Sequence, residues 1–255
     1  MLKSVKNWFI NKCPNHIFPL IANTYYYVSS KEGVKIKRVG NNWLIQRDKI
    51  KLLSPTPKFL GFGLKIFENK FERFFKINKG DIALDIGACI GDTTIPMAIK
   101  TGLTGKVIAV EPHPINVKYL KFNTAIFKNI EIIEKALWNE RKTVKLYLYN
   151  LPTGHSIIPS KERNYGVIDV PADTLDNLFN NNKRIDFVKI DVQGAEIQVL
   201  QGGSKFFEKA QKLVVETHNR FDVEKRTYPK VLEILRNYYS EIHFCMDNGI
   251  VYASQ

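Results

Sequence analysis

LDIGACIGDTT, residues 84–94, joins an apolar run to a helix-like segment through two glycines bracketed by two acids. IALDI (82–86) reads as a buried strand, and a helix is expected from about Asp92 to Lys100. Gly87 and Gly91 fall in the turn between them, where glycine lets the backbone approach a ligand or take φ > 0. The helix that follows aims unpaired N–H groups at whatever is bound there. A nucleotide-type cofactor on a strand-to-helix turn is the reading to test.

The surroundings of the turn decide between cofactors. A dinucleotide site favours G-x-G-x-x-G facing a pyrophosphate. Here the spacing is D-x-G-x-x-x-G, with Cys89 between the glycines and Asp92 opening the helix. Carboxylates at Asp85 and Asp92 would repel a pyrophosphate but suit a ligand bearing an ammonium and a sulfonium. Glu111 closes the second strand, 20 residues after Gly91, where an acid can accept hydrogen bonds from both ribose hydroxyls. The glycines alone could be a tight structural turn; with Glu111 the pattern points to S-adenosylmethionine over NAD.

Outward from the turn, strands alternate with helices from residue 80 onward. KVIAV (106–110) leads to a helix near Pro114, and IEII (130–133) is a third strand. TVKLYLY (143–149) and GVIDV (166–170) alternate and are expected to pair as an excursion. FVKI (187–190) precedes a helix through GAEIQVL, and KLVVE (212–216) precedes a helix in PKVLEILRNYY. EIHFC (241–245), DNG and IVYAS (250–254) form a closing hairpin. Such alternation implies a mostly parallel sheet with helices on both faces and a terminal antiparallel strand. Before residue 80, a short helix over 1–12, a small hairpin or meander over 34–53, a Pro/Gly linker (54–63) and a helix over 65–76 are expected.

The 255 residues are 44% hydrophobic, which supports a sizeable core and argues against disorder. No apolar run reaches the roughly 18–20 residues of a membrane span, and the first residues lack a signal-type apolar core. Cys13, Cys89 and Cys245 are far apart and lack metal or disulfide spacing, so a reducing cytoplasm is expected. The net charge of +13 is concentrated: residues 1–80 carry 16 Lys/Arg against 4 Asp/Glu, and the rest 22 against 21. A solvated lysine-rich surface and a face for an anionic partner (nucleic acid, lipid or phosphorylated carrier) both account for it. Peripheral membrane contact through the first residues stays open.

LDIGACIGDTT, AVEPHPINVKYLKFN, the AL of KALWNE, the TLDNL of PADTLDNL, FVKIDVQGAEIQVLQGG and LVVETH resemble, in order, the blocks of the FkbM family of methyltransferases. The likeness covers roughly residues 80–220. It implies an α/β class I methyltransferase fold, a Rossmann-like, mostly parallel seven-stranded sheet, on residues 80–255. Residues 1–79 then form a basic extension. It also implies methylation of hydroxyl groups, often on sugars, with S-adenosyl-L-methionine as donor. One departure is Gln193, where the family usually has Glu. The expected cofactor contacts are Asp85, Gly87, Ala88, Cys89, Gly91, Asp92, Glu111, Pro112, Ala136 and Asp191.

Methyl transfer from a sulfonium is an in-line displacement, so positioning supplies most of the acceleration, and the hydroxyl's proton needs an acceptor. His218, two residues past Glu216 at the end of a central strand, fits as base; Asp191 ends the neighbouring strand as its orienter or as a contact to the methionine end. Glu216 would support them. Glu196 could serve either the helix dipole or the site. No metal is assigned, although Asp191, Glu216 and His218 are ligand types that could hold one. His155 and Ser156 are candidates for the acceptor pocket, or a plain loop.

Two other functions compete. An RNA methyltransferase would use residues 1–80 for binding. Against it, the Asn/Asp-Pro-Pro-aromatic loop of amine methylation is replaced by DVQG, and no cysteine follows the fourth or fifth strand as nucleophile. A decayed, non-enzymatic binding protein is opposed by the intact Asp85, Glu111, Asp191 and His218.

Overall fold

The computed structural model describes residues 34–47, 50–57, 63–161, 165–181, 184–220 and 225–255. The helix expected over 1–12, and part of the linker over 54–63, lie outside them.

Three short strands come first: β1 (Val34–Val39), β2 (Asn42–Arg47) and β3 (Ile50–Ser54). They form an antiparallel meander, with Ile36 opposite Ile45 and Ile45 opposite Leu52. Their alternation buries Val34, Ile36, Trp43, Ile45, Ile50 and Leu52 on one face and leaves Lys35, Lys37 and Lys51 outside. Helix α1 (Leu64–Phe71) follows. It stops short of residue 76 because the Glu72 carboxylate accepts the Ile77 N–H (2.8 Å), bending the chain out of helical register.

The main sheet contains β4 (Ile82–Ile86), β5 (Lys106–Val110), β6 (Ile130–Ile133), β10 (Phe187–Ile190), β11 (Lys212–Glu216), β14 (Glu241–Cys245) and β15 (Ile250–Ser254). Its spatial order is β14-β15-β11-β10-β4-β5-β6. β4, β5, β6, β10 and β11 run parallel, and β15 and β14 are antiparallel additions at one edge, as expected.

Alternate residues of the strands feed two cores. Leu84, Ile108, Val188, Leu213 and Val251 face α4 (Leu175–Leu178), α5 (Glu196–Gln201) and α6 (Tyr228–Leu235). Ala83, Val107, Phe187, Val214 and Tyr252 face Phe67 and Phe71 of α1 and Met97 and Ala98 of α2 (Thr94–Thr101). Both faces are thus covered, which is why these strands read as continuous apolar runs. α3 (Pro114–Thr124) packs Leu120 on Ala88 and Ala109.

The excursion is real and larger than expected. β8 (Lys142–Tyr147) pairs antiparallel with β9 (Val167–Asp173), and a two-residue strand, β7 (Ala136–Leu137), joins β9 in parallel. A 3-10 turn at Pro152–Gly154 and a ribbon of β12 (Asn219–Arg220) with β13 (Lys225–Arg226) complete the elements of the described residues. α5 starts at Glu196 rather than Gly194, because Gln193 (φ 55°) and Gly194 (φ 107°) lie in left-handed conformations.

The extension and the body share their packing. Phe67, Phe71 and Ile77 belong to the core that holds Phe187 and Tyr252, and the β1–β3 face packs on Cys89, Ile90 and Ile95. Strand order runs one way from β4 to β6 and the other way from β10 to β11, and the crevice beyond the carboxyl ends of β4 and β10 is where such sheets bind ligands.

Candidate active site

Gly87 follows β4 and Asp191 follows β10, side by side in the sheet. A Cβ on Gly87 would stand 1.9 Å from the Asp191 carbonyl oxygen, and φ there is +78°, so only glycine fits. Cys89 takes φ 51°, a conformation that costs a non-glycine residue about 1–3 kcal/mol and persists only where its surroundings hold it. Its N–H donates to Glu111 Oε2 at 2.9 Å.

Asp85 differs from expectation. It is fully buried behind the turn, where Oδ2 accepts from the Thr93 and Thr94 hydroxyls (2.7 Å each) and Oδ1 pairs with Lys189 Nζ at 3.0 Å. Its charge is therefore spent inside the protein. Lys189, which the sequence reading passed over, also donates to the Gly87 carbonyl at 3.0 Å and lies 3.9 Å from Asp191 Oδ2. Burial opposes its charge, but the carboxylates of Asp85, Asp191 and Asp92 outweigh it and hold the ammonium well above the usual lysine range. One lysine inside the apolar strand FVKI was the available signal.

A cleft of about 700 Å³, counting the part open to solvent, lies beyond the turn. Gly87, Cys89, Asp92, Glu111, Pro112, Ala136 and Asp191 line it, together with His155 and Ser156. Asp85, Ala88, Gly91, Glu216 and His218 are not among the lining residues. Ala88 packs on Leu120, and a Cβ on Gly91 would meet Leu120 at 3.2 Å. The cleft also takes in Asn116, Lys135, Lys189 and Gln193, none of which had been assigned.

Glu111 is held by three donors: Cys89 N–H on Oε2, and His113 N–H (2.9 Å) and Asn116 Nδ2 (3.3 Å) on Oε1. Burial pushes its carboxyl up to about 7 against those donors. Asp92 is likewise pushed to about 7, by burial against Lys189. Asp191 stays ionised: burial is outweighed by Lys189, His218 and Lys70, which bring it to about 2.

This donor set fits S-adenosylmethionine. Glu111 is fixed yet keeps lone pairs for a ribose diol, and Asp92 and Asp191 can face cationic groups. A pyrophosphate would meet those same acids. Both cleft lysines are engaged, Lys189 with Asp85 and Lys135 with Asp173 at 2.9 Å.

At the end of β11, four side chains form a chain of contacts. Glu196 Oε1 lies 2.8 Å from His218 Nδ1, His218 Nε2 lies 2.9 Å from Gln193 Nε2, and Gln193 Nε2 donates to Asp191 Oδ1 at 2.8 Å. The ring's orienter is thus Glu196, fully buried, while Asp191 stands 3.7 Å away with Gln193 between. Burial lowers His218, but the Glu196 hydrogen bond and the charges of Glu196, Asp191 and Glu216 carry it up to about 9.

The nitrogen-to-nitrogen contact, by contrast, suits a neutral ring accepting on Nε2. The same Gln193 nitrogen donates to Asp191, so the amide orientation is held by that carboxylate, while the charges of Glu196, Asp191 and Glu216 favour a proton on the ring. Glu216 does not bond His218. Its Oε2 pairs with Lys70 of α1 at 2.7 Å, and burial followed by the Asp191 charge raises its carboxyl. Among the described residues, no group of three or more His, Cys, Asp or Glu is arranged to hold a metal.

A seven-stranded sheet with antiparallel closing strands, carrying this cleft at its switch point, is the class I methyltransferase fold. The chain belongs to the FkbM family of S-adenosylmethionine-dependent methyltransferases, whose methyltransferase FkbM domain matches residues 85–242. It is 28% identical over 169 residues to methyltransferase sdnD of Sordaria araneosa, covering 52% of this chain and 65% of that protein. The FkbM methyltransferase structure from Methylobacillus flagellatus KT shares the fold at a TM-score of 0.52 and 16% identity, over 73% of this chain and 47% of that one. The chain thus spans less than two thirds of either relative. No helix among the described residues is long and apolar enough to cross a membrane.

Proposed function

We propose that this domain transfers the methyl group to a hydroxyl of a sugar, glycan or glycolipid precursor. The observation that carries this reading is the Glu196–His218–Gln193–Asp191 chain at the carboxyl ends of β10 and β11. The bound donor supplies an electrophilic methyl on sulfur. Asp92, Glu111 and Asp191 would hold it, and the missing side chain of Gly87 would allow its close approach. His218 Nε2 would take the proton of the acceptor hydroxyl while Glu196 steadies the ring through Nδ1; the methyl's bond to sulfur would break as its bond to oxygen forms, leaving S-adenosylhomocysteine. A base raised to about 9 suits a weakly acidic hydroxyl, because its proton affinity is high once it is free.

His155 and Ser156 border the acceptor end. Ser156 Oγ donates to the Gln193 carbonyl at 2.8 Å, tying that loop to the residue beside the base. Incubation with methyl-labelled donor and nucleotide-sugars, polyprenyl-linked sugars or cell glycans tests the reading. Label on a sugar oxygen supports it; transfer to none of these removes it.

A second reading, RNA methylation, draws on the exposed Lys35, Lys37, Arg38 and Lys51 of β1 and β3. Salt-sensitive tRNA binding with label in RNA would favour it.

A further inference from the structure

The β1–β3 sheet meets the cofactor turn through one side chain of α3. Asn123 Oδ1 accepts the Leu53 N–H of β3 at 2.8 Å. Its Nδ2 donates to the Leu53 carbonyl at 3.1 Å and to the Ile90 carbonyl at 2.8 Å. Both amide hydrogens and the amide oxygen are therefore used, at a buried position. Ile90 lies between Cys89, held at positive φ, and Gly91, which is flush against α3. Tyr119, one helical turn before Asn123, makes a separate tie: its hydroxyl donates to Asn42 Oδ1 of β2 at 2.6 Å, while its ring packs on the apolar cluster that includes Cys89 and Ile90.

We infer that Asn123 is a positioning residue for the cofactor, fixing residues 89–91 by clamping Ile90 to the edge of the N-terminal sheet. The left-handed Cys89 aims its N–H at Glu111, and Glu111 faces the cleft. A conformation of this kind persists only where neighbours over-determine it. The Asn123 amide is one such neighbour, and it makes the extension part of the cofactor site. The Tyr119 hydroxyl ties the same sheet through β2, and Tyr119→Phe removes that bond while keeping the ring.

Calorimetric titration of adenosylhomocysteine into Asn123→Asp, Asn123→Ala and Tyr119→Phe tests this, with thermal unfolding and amide exchange measured alongside. Asn123→Asp matches the shape, keeps an acceptor for Leu53 and loses both donors, so it serves if the alanine variant does not fold. The expected result is a Kd about tenfold higher in the Asn123 variants, the worth of a buried hydrogen bond. Amides 88–91 should exchange faster in the same variants. Tyr119→Phe should stay within about twofold of wild type even where its melting temperature falls. An unchanged Kd in Asn123→Asp, or an equal rise in Tyr119→Phe, would overturn the inference and leave Asn123 a structural residue.

Discussion

Asp85 Oδ1 and Lys189 Nζ stand 3.0 Å apart, both buried, one at the end of β4 and the other inside β10. The pair bridges the two strands between which the site opens, and the same ammonium holds the Gly87 carbonyl. Removing one partner leaves the other charge buried and uncompensated. Lys189→Met should cost about 3–5 kcal/mol in urea unfolding. Adding Asp85→Asn to it should recover part of that loss, which a double-mutant cycle reads directly.

As the proposed base, His218 should set the pH dependence. With its imidazole raised to about 9, kcat/KM should climb with pH until about 9, because only the deprotonated ring accepts a proton. Glu196→Gln should move that limb toward the ordinary histidine value. His218→Ala should lower kcat by about 10²–10⁴ with little change in adenosylhomocysteine Kd. The same raised pKa stabilises the fold fully below the unfolded value of about 6.5, and this contribution fades as pH rises through about 9.

Glu111 and Asp92 have the opposite linkage with the ligand. Both are pushed to about 7 by burial, so the free protein favours their protonated forms. That stability is complete below the unfolded carboxylate values and is lost as pH rises through about 7. S-adenosylmethionine, which needs the carboxylates ionised, should bind more tightly across the same rise. Glu111→Ala should weaken adenosylhomocysteine binding about 10- to 100-fold by calorimetry, the range for hydrogen bonds to a charged acceptor.

Gly87→Ala should abolish binding even where the fold survives. A methyl at that point would collide with the Asp191 carbonyl, and the required φ of +78° excludes alanine as well. Circular dichroism beside the binding titration separates the two effects.

Elements with strong periodicity were legible: KVIAV, IEII, FVKI, KLVVE, EIHFC and IVYAS begin and end as their patterns imply. Helix ends were not, because side chains such as Glu72 and the left-handed Gln193 and Gly194 override the pattern locally. The acids of the turn were visible, but their partners were not. Asp85 meets Lys189 across 104 residues, and His218 meets Glu196 across 22. Those pairings depend on strand order, which a linear reading of residue types does not contain. Glu216 was placed near the base by its neighbours in sequence, whereas the fold turns it toward Lys70.

The most direct test of the account is a paired titration of adenosylhomocysteine and NAD into the wild-type protein and Glu111→Ala. The cleft described here should take up adenosylhomocysteine, lose most of that affinity in the variant, and bind no NAD in either. Tight NAD uptake, with no heat from adenosylhomocysteine, would contradict it.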